Sequence, residues 1–512
     1  MNFTPSRVKS PFVQLQPSPA FPSPFEPIEP LPGMTPGDYA ARCGSTNSRV
    51  DAATFQDARV AALFEERETF AWRRFRDGQG GEDAFLRDVR ERGVGIAGAG
   101  LMGISIAASF LDAEIPTTLY DPLERARVSA PERARQELKT LRQNTGEALD
   151  DDTKEAELLN RRVSKYLNVT DRLDDVASSP VVVESTPEKP RLKAKLYREL
   201  EARSVPNAPI TLLTNTSSLT LAELSATLPR DDEGKNTSAA RFASFHFFHP
   251  ATKRRPVEIA VGADTSGETA RRAKALADAI GRIPMIVGDS PGFLVNRLLQ
   301  AYLGEALAAL DEGVDAARLE NACLRFGMEG APLRIIDEIG ADVSLHAGWS
   351  FFKAFPNRSL DSTILPGLVR AERLGRKTRR GFYRYEGSVS WRDDATLDAD
   401  SATLQALAAP NAFPAIPDVP AKFHTDEALV LRFLIATLFE AARLVEEGVV
   451  RSLREADAAL VLALGFPQDK GGICYWSLAF GLERLLAVAR ELAPLGARFD
   501  PPTALTKLAE TV

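Results

Sequence analysis

The chain has 512 residues, 44% of them hydrophobic, 26% charged and 8% aromatic, with a formal net charge of -7. That length exceeds what one hydrophobic core organises and predicts two to four domains of an ordinary soluble globular type. The mild acidity, with no basic face, argues against nucleic acid as a partner, and the scattered Cys43, Cys323 and Cys474 argue against a disulfide framework or a structural zinc. No run of about 18 apolar residues is present to cross a bilayer and no signal-peptide core opens the chain, so a reducing cytoplasm is the expected compartment.

In chain order, residues 1–50 begin with a proline-dense stretch (PSPAFPSPFEPIEPLPGMTP) in which missing backbone donors and fixed φ predict an unstructured or extended tail. Residues 51–92 carry apolar residues at helical spacing and read as a helical, linker-like segment. From 93 to 289, short β-type runs (VGIAG, TTLYD, VVVES, ITLLTNTS, RFASFHFF, IPMIVG) alternate with amphipathic stretches, the pattern of a doubly wound α/β sheet. After Ser290 the β signal gives way to helical periodicity, which marks a separate all-α region.

That helical region repeats. Arg297, Glu305, Asp311, Glu312 and Gly313 recur as Arg432, Glu440, Glu446, Glu447 and Gly448 at a constant offset of 135, and Phe326-Gly327 recurs as Leu464-Gly465 with three residues inserted. The expectation is two copies of one module, residues 290–386 and 425–512, joined by an Ala-, Asp- and Pro-rich linker over 387–424.

The glycine loop Gly98-Ala99-Gly100-Leu101-Met102-Gly103 follows one strand, opens an apolar helix and precedes a second strand that ends in Asp121. In that setting Gly98 permits the tight turn, Gly100 lets the backbone approach a pyrophosphate and Gly103 lets the helix lie close on the strand. Asp121 is placed to accept from ribose hydroxyls and to repel a 2′-phosphate, which favours NAD, although FAD uses a similar loop. Two of the four histidines, His246 and His249, stand in SFHFFHP at a strand end. Histidine suits the general base that an alcohol oxidation needs, and Glu258 is a carboxylate able to fix its tautomer. Taken alone, a histidine among aromatic residues is more often a packed core residue than a catalyst.

The motifs GAGLMG, VVESTPE, TNTSSL, SFHFFHP, SPGFLVNRLL, GRKTRRGFY and, in the second copy, EEGVVRSLREAD with ALGFP resemble the 3-hydroxyacyl-CoA dehydrogenase family. They are most similar to the dehydrogenase part of the multifunctional fatty-acid oxidation α-subunit, over about residues 93 to 495. The resemblance implies a Rossmann-type NAD-binding domain followed by a duplicated all-α C-terminal domain. It also implies NAD-dependent oxidation of an L-3-hydroxyacyl-CoA to a 3-ketoacyl-CoA in β-oxidation, with no metal. It makes His246 the catalytic base and Glu258 its partner, and gives Ser217 and Asn296 to the substrate. Gly98, Gly100, Met102, Gly103, Asp121, Glu188, Lys193, Ser217 and Lys377 fall to the cofactor.

Departures from the family pattern carry expectations too. His249 replaces an asparagine that meets the cofactor, Leu462 stands where the α-subunits have a substrate-contacting tyrosine, and the loop Lys253-Arg254-Arg255 is basic enough to meet CoA phosphates. Only about 90 residues precede the dehydrogenase-like part. Hydratase activity is therefore not expected, and a separate enoyl-CoA hydratase or thiolase subunit is the implied partner. A duplicated module can pair within its own chain, so a monomer or a small oligomer is expected.

Overall fold

The computed structural model describes residues 21–43, 55–78, 80–204, 209–230, 236–360, 362–386, 395–399, 401–408 and 419–511. Six short strands form a fully parallel sheet: β1 (Val94–Ala97), β2 (Thr117–Tyr120), β3 (Leu167–Thr170), β4 (Val181–Glu184), β5 (Thr211–Thr214) and β6 (Phe242–Ser244). Their order is β3-β2-β1-β4-β5-β6, the doubly wound arrangement, with the switch point beside β1 and β4. β1, β4 and β5 are buried along their whole length, as apolar strands covered by helices on both faces must be.

The chain then leaves this sheet for a second one. β7 (His246–Phe247) pairs antiparallel with β8 (Pro256–Val261), which runs parallel to β9 (Ile283–Gly288). Two of the strands named so far escape the sequence pattern. β3 grows directly out of the helix Asp152–Tyr166 with no Gly or Pro between them, and β8 opens on a proline, which a strand tolerates at its first residue.

Both helical copies are present. The first is built on the helix Val295–Asp311 and the second on Asp426–Glu446, and the two pack side by side. Reciprocal ion pairs fix them. Arg297 reaches Glu440 at 2.6 Å and Glu447 at 2.6 Å, while Arg432 reaches Glu305 at 3.1 Å and Glu312 at 2.7 Å. Every residue on one side is the 135-offset copy of one on the other, so the seam is a two-fold, isologous contact folded into a single chain. Arg297 and Arg432 are fully buried, and such charges persist only with their partners in place. The pairing expected within one chain is therefore observed.

Three expectations need correction. Residues 21–43 of the proline-rich segment are docked rather than loose, with the remainder of 1–50 outside the described residues. The prolines space out Leu31, Met34 and Tyr39, which bury against the second helical copy, and the helix Pro36–Cys43 is pinned where the Tyr39 hydroxyl donates to Asp457 at 3.0 Å. The supposed linker 387–424 holds β11 (Ala395–Leu397), antiparallel to β10 (Tyr383–Tyr385), and a helix Ser401–Leu407 that buries Leu404. Residues 387–394, 400 and 409–418 lie outside the described residues. The β signal thus does not end at Ser290, because this late hairpin is too short to show as alternation.

The segment before β1 also acquires a place. Glu66 pairs with Arg451 at 2.9 Å and Arg454 at 3.0 Å in the second copy, and the helix Phe70–Asp77 packs on β9 and on the helix Gly267–Ala279. Among the described residues, no helix is long and apolar enough to cross a membrane.

Candidate functional site

Two clefts meet at the carboxyl ends of the parallel strands. The first, about 1370 Å³, runs over the glycine loop, Asp121 and Glu188, and the second, about 810 Å³, contains His246, His249 and Asn296 between the Rossmann and helical parts. Leu101, Met102, Asn215, Ser217, Val343 and Ala347 line both, so the clefts join at the tip of the glycine loop.

The loop has the geometry its sequence requires. Gly98 sits at φ +112°, and a Cβ there would lie 2.5 Å from the Ser185 carbonyl. A Cβ on Gly103 would lie 1.8 Å from the Gly98 carbonyl, because the helix Leu101–Asp112 crosses the strand end in direct contact. Gly100 caps that helix without a side-chain bond and has open space where a Cβ would be. The positive helix end therefore faces the cleft directly, the cradle a pyrophosphate needs. Asp121 accepts the Ala99 N–H at 2.9 Å and the Leu123 N–H at 2.9 Å, which holds its carboxylate at the cleft wall. These residues fit a dinucleotide with free ribose hydroxyls, and NAD is the group they would hold.

Glu188 and Lys193 behave differently from each other. Glu188 lines the first cleft and gathers the TNTSS turn, accepting from the Thr216 hydroxyl at 2.5 Å and the Ser217 N–H at 2.8 Å. Burial pushes its carboxyl up, but the Lys193 charge and these donors outweigh that and hold it below the usual range. Lys193 itself is only 1% exposed, with its ammonium between Glu184 at 2.8 Å and Glu188 at 3.1 Å. It stands behind the cleft wall rather than in it. Lys377 is likewise off the cleft lining and pairs with Asp342, a residue that does line it.

His246 and Glu258 are directly opposite each other in the β7·β8 ladder. The imidazole Nδ1 lies 2.7 Å from Glu258 Oε2, and Glu258 Oε1 accepts the N–H groups of Leu294 at 3.0 Å and Val295 at 2.8 Å. The carboxylate is thus clamped between the second sheet and the first turn of the helix Val295–Asp311. With Nδ1 engaged, Nε2 is the nitrogen left to meet a substrate. The ring packs edge-on against Phe248 with centroids 4.8 Å apart, and the residue is 5% exposed. Asn296 Nδ2 donates to the Ser217 carbonyl at 3.1 Å, which ties the two substrate candidates into one unit.

Asn215 joins the site without having stood out in the motifs. Its side-chain oxygen accepts the Phe247 N–H at 2.8 Å and so fixes the backbone beside His246. The only sequence signal was its place between Thr214 and Thr216 in TNTSS. His249 opens onto the second cleft, yet its ring is sunk deeply enough that desolvation lowers its pKa. A neutral imidazole there can donate one hydrogen bond without opposing charge on His246. Leu462 packs, half-buried, against the main core, and it is not among the residues lining the second cleft, where Ala463 and Leu464 represent that segment. Among the described residues no cluster of three or more His, Cys, Asp or Glu side chains is placed to hold a metal ion.

Comparison with known proteins adds an independent line. Residues 93–290 match the family model described as 3-hydroxyacyl-CoA dehydrogenase, NAD binding domain, and residues 292–385 match its C-terminal domain. The fatty acid oxidation complex subunit alpha of Idiomarina loihiensis is 30% identical over 422 residues, 81% of this chain and 54% of that protein. The chain spans about half the length of the curated relatives it matches. Among solved structures, 3-hydroxybutyryl-CoA dehydrogenase from Escherichia coli K12 superposes with a TM-score of 0.63 at 24% identity, covering 82% of this chain and 98% of that one. The dehydrogenase part of multifunctional enzyme 1 from C. elegans gives 0.51 at 26% identity, covering 81% and 89%.

Proposed function

The chain belongs to the 3-hydroxyacyl-CoA dehydrogenase family, and from that premise we propose that it oxidises the 3-hydroxyl of an L-3-hydroxyacyl-CoA to the ketone, with NAD as oxidant. The observation that carries this reading is the His246–Glu258 pair at 2.7 Å, set where the dinucleotide cleft runs into the second cleft.

Bound NAD supplies the hydride acceptor. His246 Nε2 takes the hydroxyl proton, and Glu258 holds Nδ1–H so that the ring keeps the right tautomer and its positive charge is balanced as it forms. Ser217 and Asn296, already linked to each other, hold the 3-oxygen and the adjoining acyl carbons against His246. Met102 and Asn215, on the shared wall of the clefts, align the reacting carbon with the nicotinamide. Lys193 serves by keeping Glu188, and through it the Ser217 turn, in position. The substrate is the product of an enoyl-CoA hydration and the product is the substrate of a thiolytic cleavage, so separate hydratase and thiolase activities are the natural neighbours of this enzyme.

The test follows NADH consumption with acetoacetyl-CoA and with a long-chain 3-ketoacyl-CoA, using wild type and His246→Gln. Wild type should turn over at least one of them, and the substitution should lower kcat by about 10²–10⁴-fold while NADH affinity, read by fluorescence, is kept. No turnover of either thioester by wild type would sink the activity. Full turnover by the variant would remove His246 as the base.

A further inference from the structure

The basic loop after β7 has no part in the proton chemistry, yet it is built as a site. Buried Arg282 braces its backbone from beneath, donating to the Ala251 carbonyl at 2.6 Å and the Arg254 carbonyl at 2.9 Å. Asn144 adds a bond to the Thr252 carbonyl at 3.1 Å. From this fixed loop Lys253 and Arg254 both reach Glu329 of the first helical copy, Arg254 at 2.9 Å. Glu329 in turn donates its N–H to the Gly465 carbonyl of the second copy at 3.0 Å. Three parts of the molecule thus meet at one residue.

That carboxylate sits on the second cleft, whose wall also carries Arg334, itself paired with Glu338 of the same wall at 3.7 Å. The same cleft is apolar around His246, where Phe248, Leu299 and Leu303 line it. One end suits an acyl thioester and the other presents converging cations to an anion. None of these cations lines the dinucleotide cleft, so the anion they suit is not the NAD pyrophosphate.

We propose that Lys253 and Arg254, with Arg334, bind the phosphates of the CoA moiety, and that Glu329 is a built-in anion that keeps these cations in place between substrates and yields to an arriving phosphate. This rests on the dehydrogenase reading above. Displacement of Glu329 also releases one of the contacts that tie the Rossmann part to the helical part.

The experiment compares acetoacetyl-CoA, dephospho-acetoacetyl-CoA and acetoacetyl-pantetheine as substrates of the full chain, for wild type, the double variant Lys253→Ala/Arg254→Ala, and Glu329→Gln. The double variant should raise KM for acetoacetyl-CoA by about 100-fold, roughly tenfold for each cation removed, and leave KM for the pantetheine thioester where it was. The dephospho substrate shows which phosphate is held. Glu329→Gln should lower KM for acetoacetyl-CoA about threefold, and added salt should weaken the CoA thioester more in wild type than in the double variant, which keeps only Arg334. Equal effects on the CoA and pantetheine thioesters, or no effect on either, would overturn the proposal. If wild type turns over no thioester, the dehydrogenase reading fails, and calorimetric titration of CoA and of pantetheine still decides the site. Weakening of CoA alone by the double variant upholds it, and unchanged CoA binding overturns it.

Discussion

The two helical copies are equal at their seam and unequal everywhere else. At the seam, each buried arginine crosses to the two glutamates of the other copy. Away from it, the first copy begins with Leu294 and Val295 giving their N–H groups to Glu258, whereas the second begins with Thr425 capping a helix that lines neither cleft, that copy reaching the second cleft only through Ala463 and Leu464. Asn296 of the first copy corresponds to Leu431 of the second, a fully buried core residue. The contrast separates two duties: both copies build the interface, and the first alone gives its helix start to the candidate site.

The largest effect that can test this comparison comes from the arginines. Arg297→Met takes the near ion pair from buried Glu440 and Arg432→Met takes it from the largely buried Glu312, and each should cost about 3–5 kcal/mol in urea denaturation. Only Arg297→Met should also depress kcat in the folded fraction, because its helix supplies the donors that clamp Glu258. Equal stability losses with unequal activities sharpen the comparison. A stability loss confined to one arginine breaks the two-fold reading.

How much of this was legible from residues follows a physical pattern. The glycine loop was fully readable, since its spacing is dictated by contacts within a few residues. The duplication was readable from charges placed inside otherwise apolar helices, as at Arg297 and Glu305, but the crossing of each charge to the other copy was not, because an offset says nothing about orientation. His246 and Glu258 are twelve residues apart in sequence and adjacent only through the β7·β8 register, which no spacing rule reveals. The resemblance gave Lys193 to the cofactor, and its burial behind the cleft wall could not be read from the sequence because it depends on Glu184 at the end of β4. The docking of residues 21–43 was hidden by prolines that say how the chain bends and not what its apolar side chains touch.

A second pair of substitutions probes the unequal half. Leu431→Ala should cost about 2–5 kcal/mol as a cavity in the core and leave the activity of folded protein intact. Asn296→Ala should do the reverse, with an unchanged thermal midpoint and a fall in kcat/KM of about tenfold or more, as expected when one substrate hydrogen bond is removed. Matched losses of stability at both positions would mean that Asn296 is only a packing residue.

The seam should also respond to acid. Burial pushes the carboxyls of Glu312 and Glu447 up, but their arginine partners outweigh it and hold both below the usual range. A carboxyl whose folded value lies below its unfolded value, about 4.3 for glutamate, stabilises the fold above that unfolded value. The contribution is lost as pH falls through the folded one. Wild type should therefore lose stability steeply below about pH 4.5. Glu312→Gln should start about 1.5–3 kcal/mol lower at neutral pH and decline less steeply. An unchanged slope would place the acid sensitivity elsewhere.

The smallest effect distinguishes the two ends of the seam. Glu447 has a permanently charged second partner, Arg358 at 2.9 Å, while Glu312 has His424 at 2.9 Å. Position 424 has no equivalent across the pseudo-axis, since Asp289, the residue 135 positions earlier and just before the first copy, accepts the Leu221 and Ala222 N–H groups instead. His424→Ala removes a partly exposed pair and should cost no more than about 1 kcal/mol. Arg358→Ala loses an ion pair and the packing of its guanidinium over Phe355 at 4.1 Å, and should cost more. If the two substitutions prove equivalent in chemical denaturation, these second partners are incidental and the seam is held by the reciprocal arginines alone. A clear excess at Arg358 means that the copies have begun to diverge at the interface as well, with the tighter end next to the helix start that clamps Glu258.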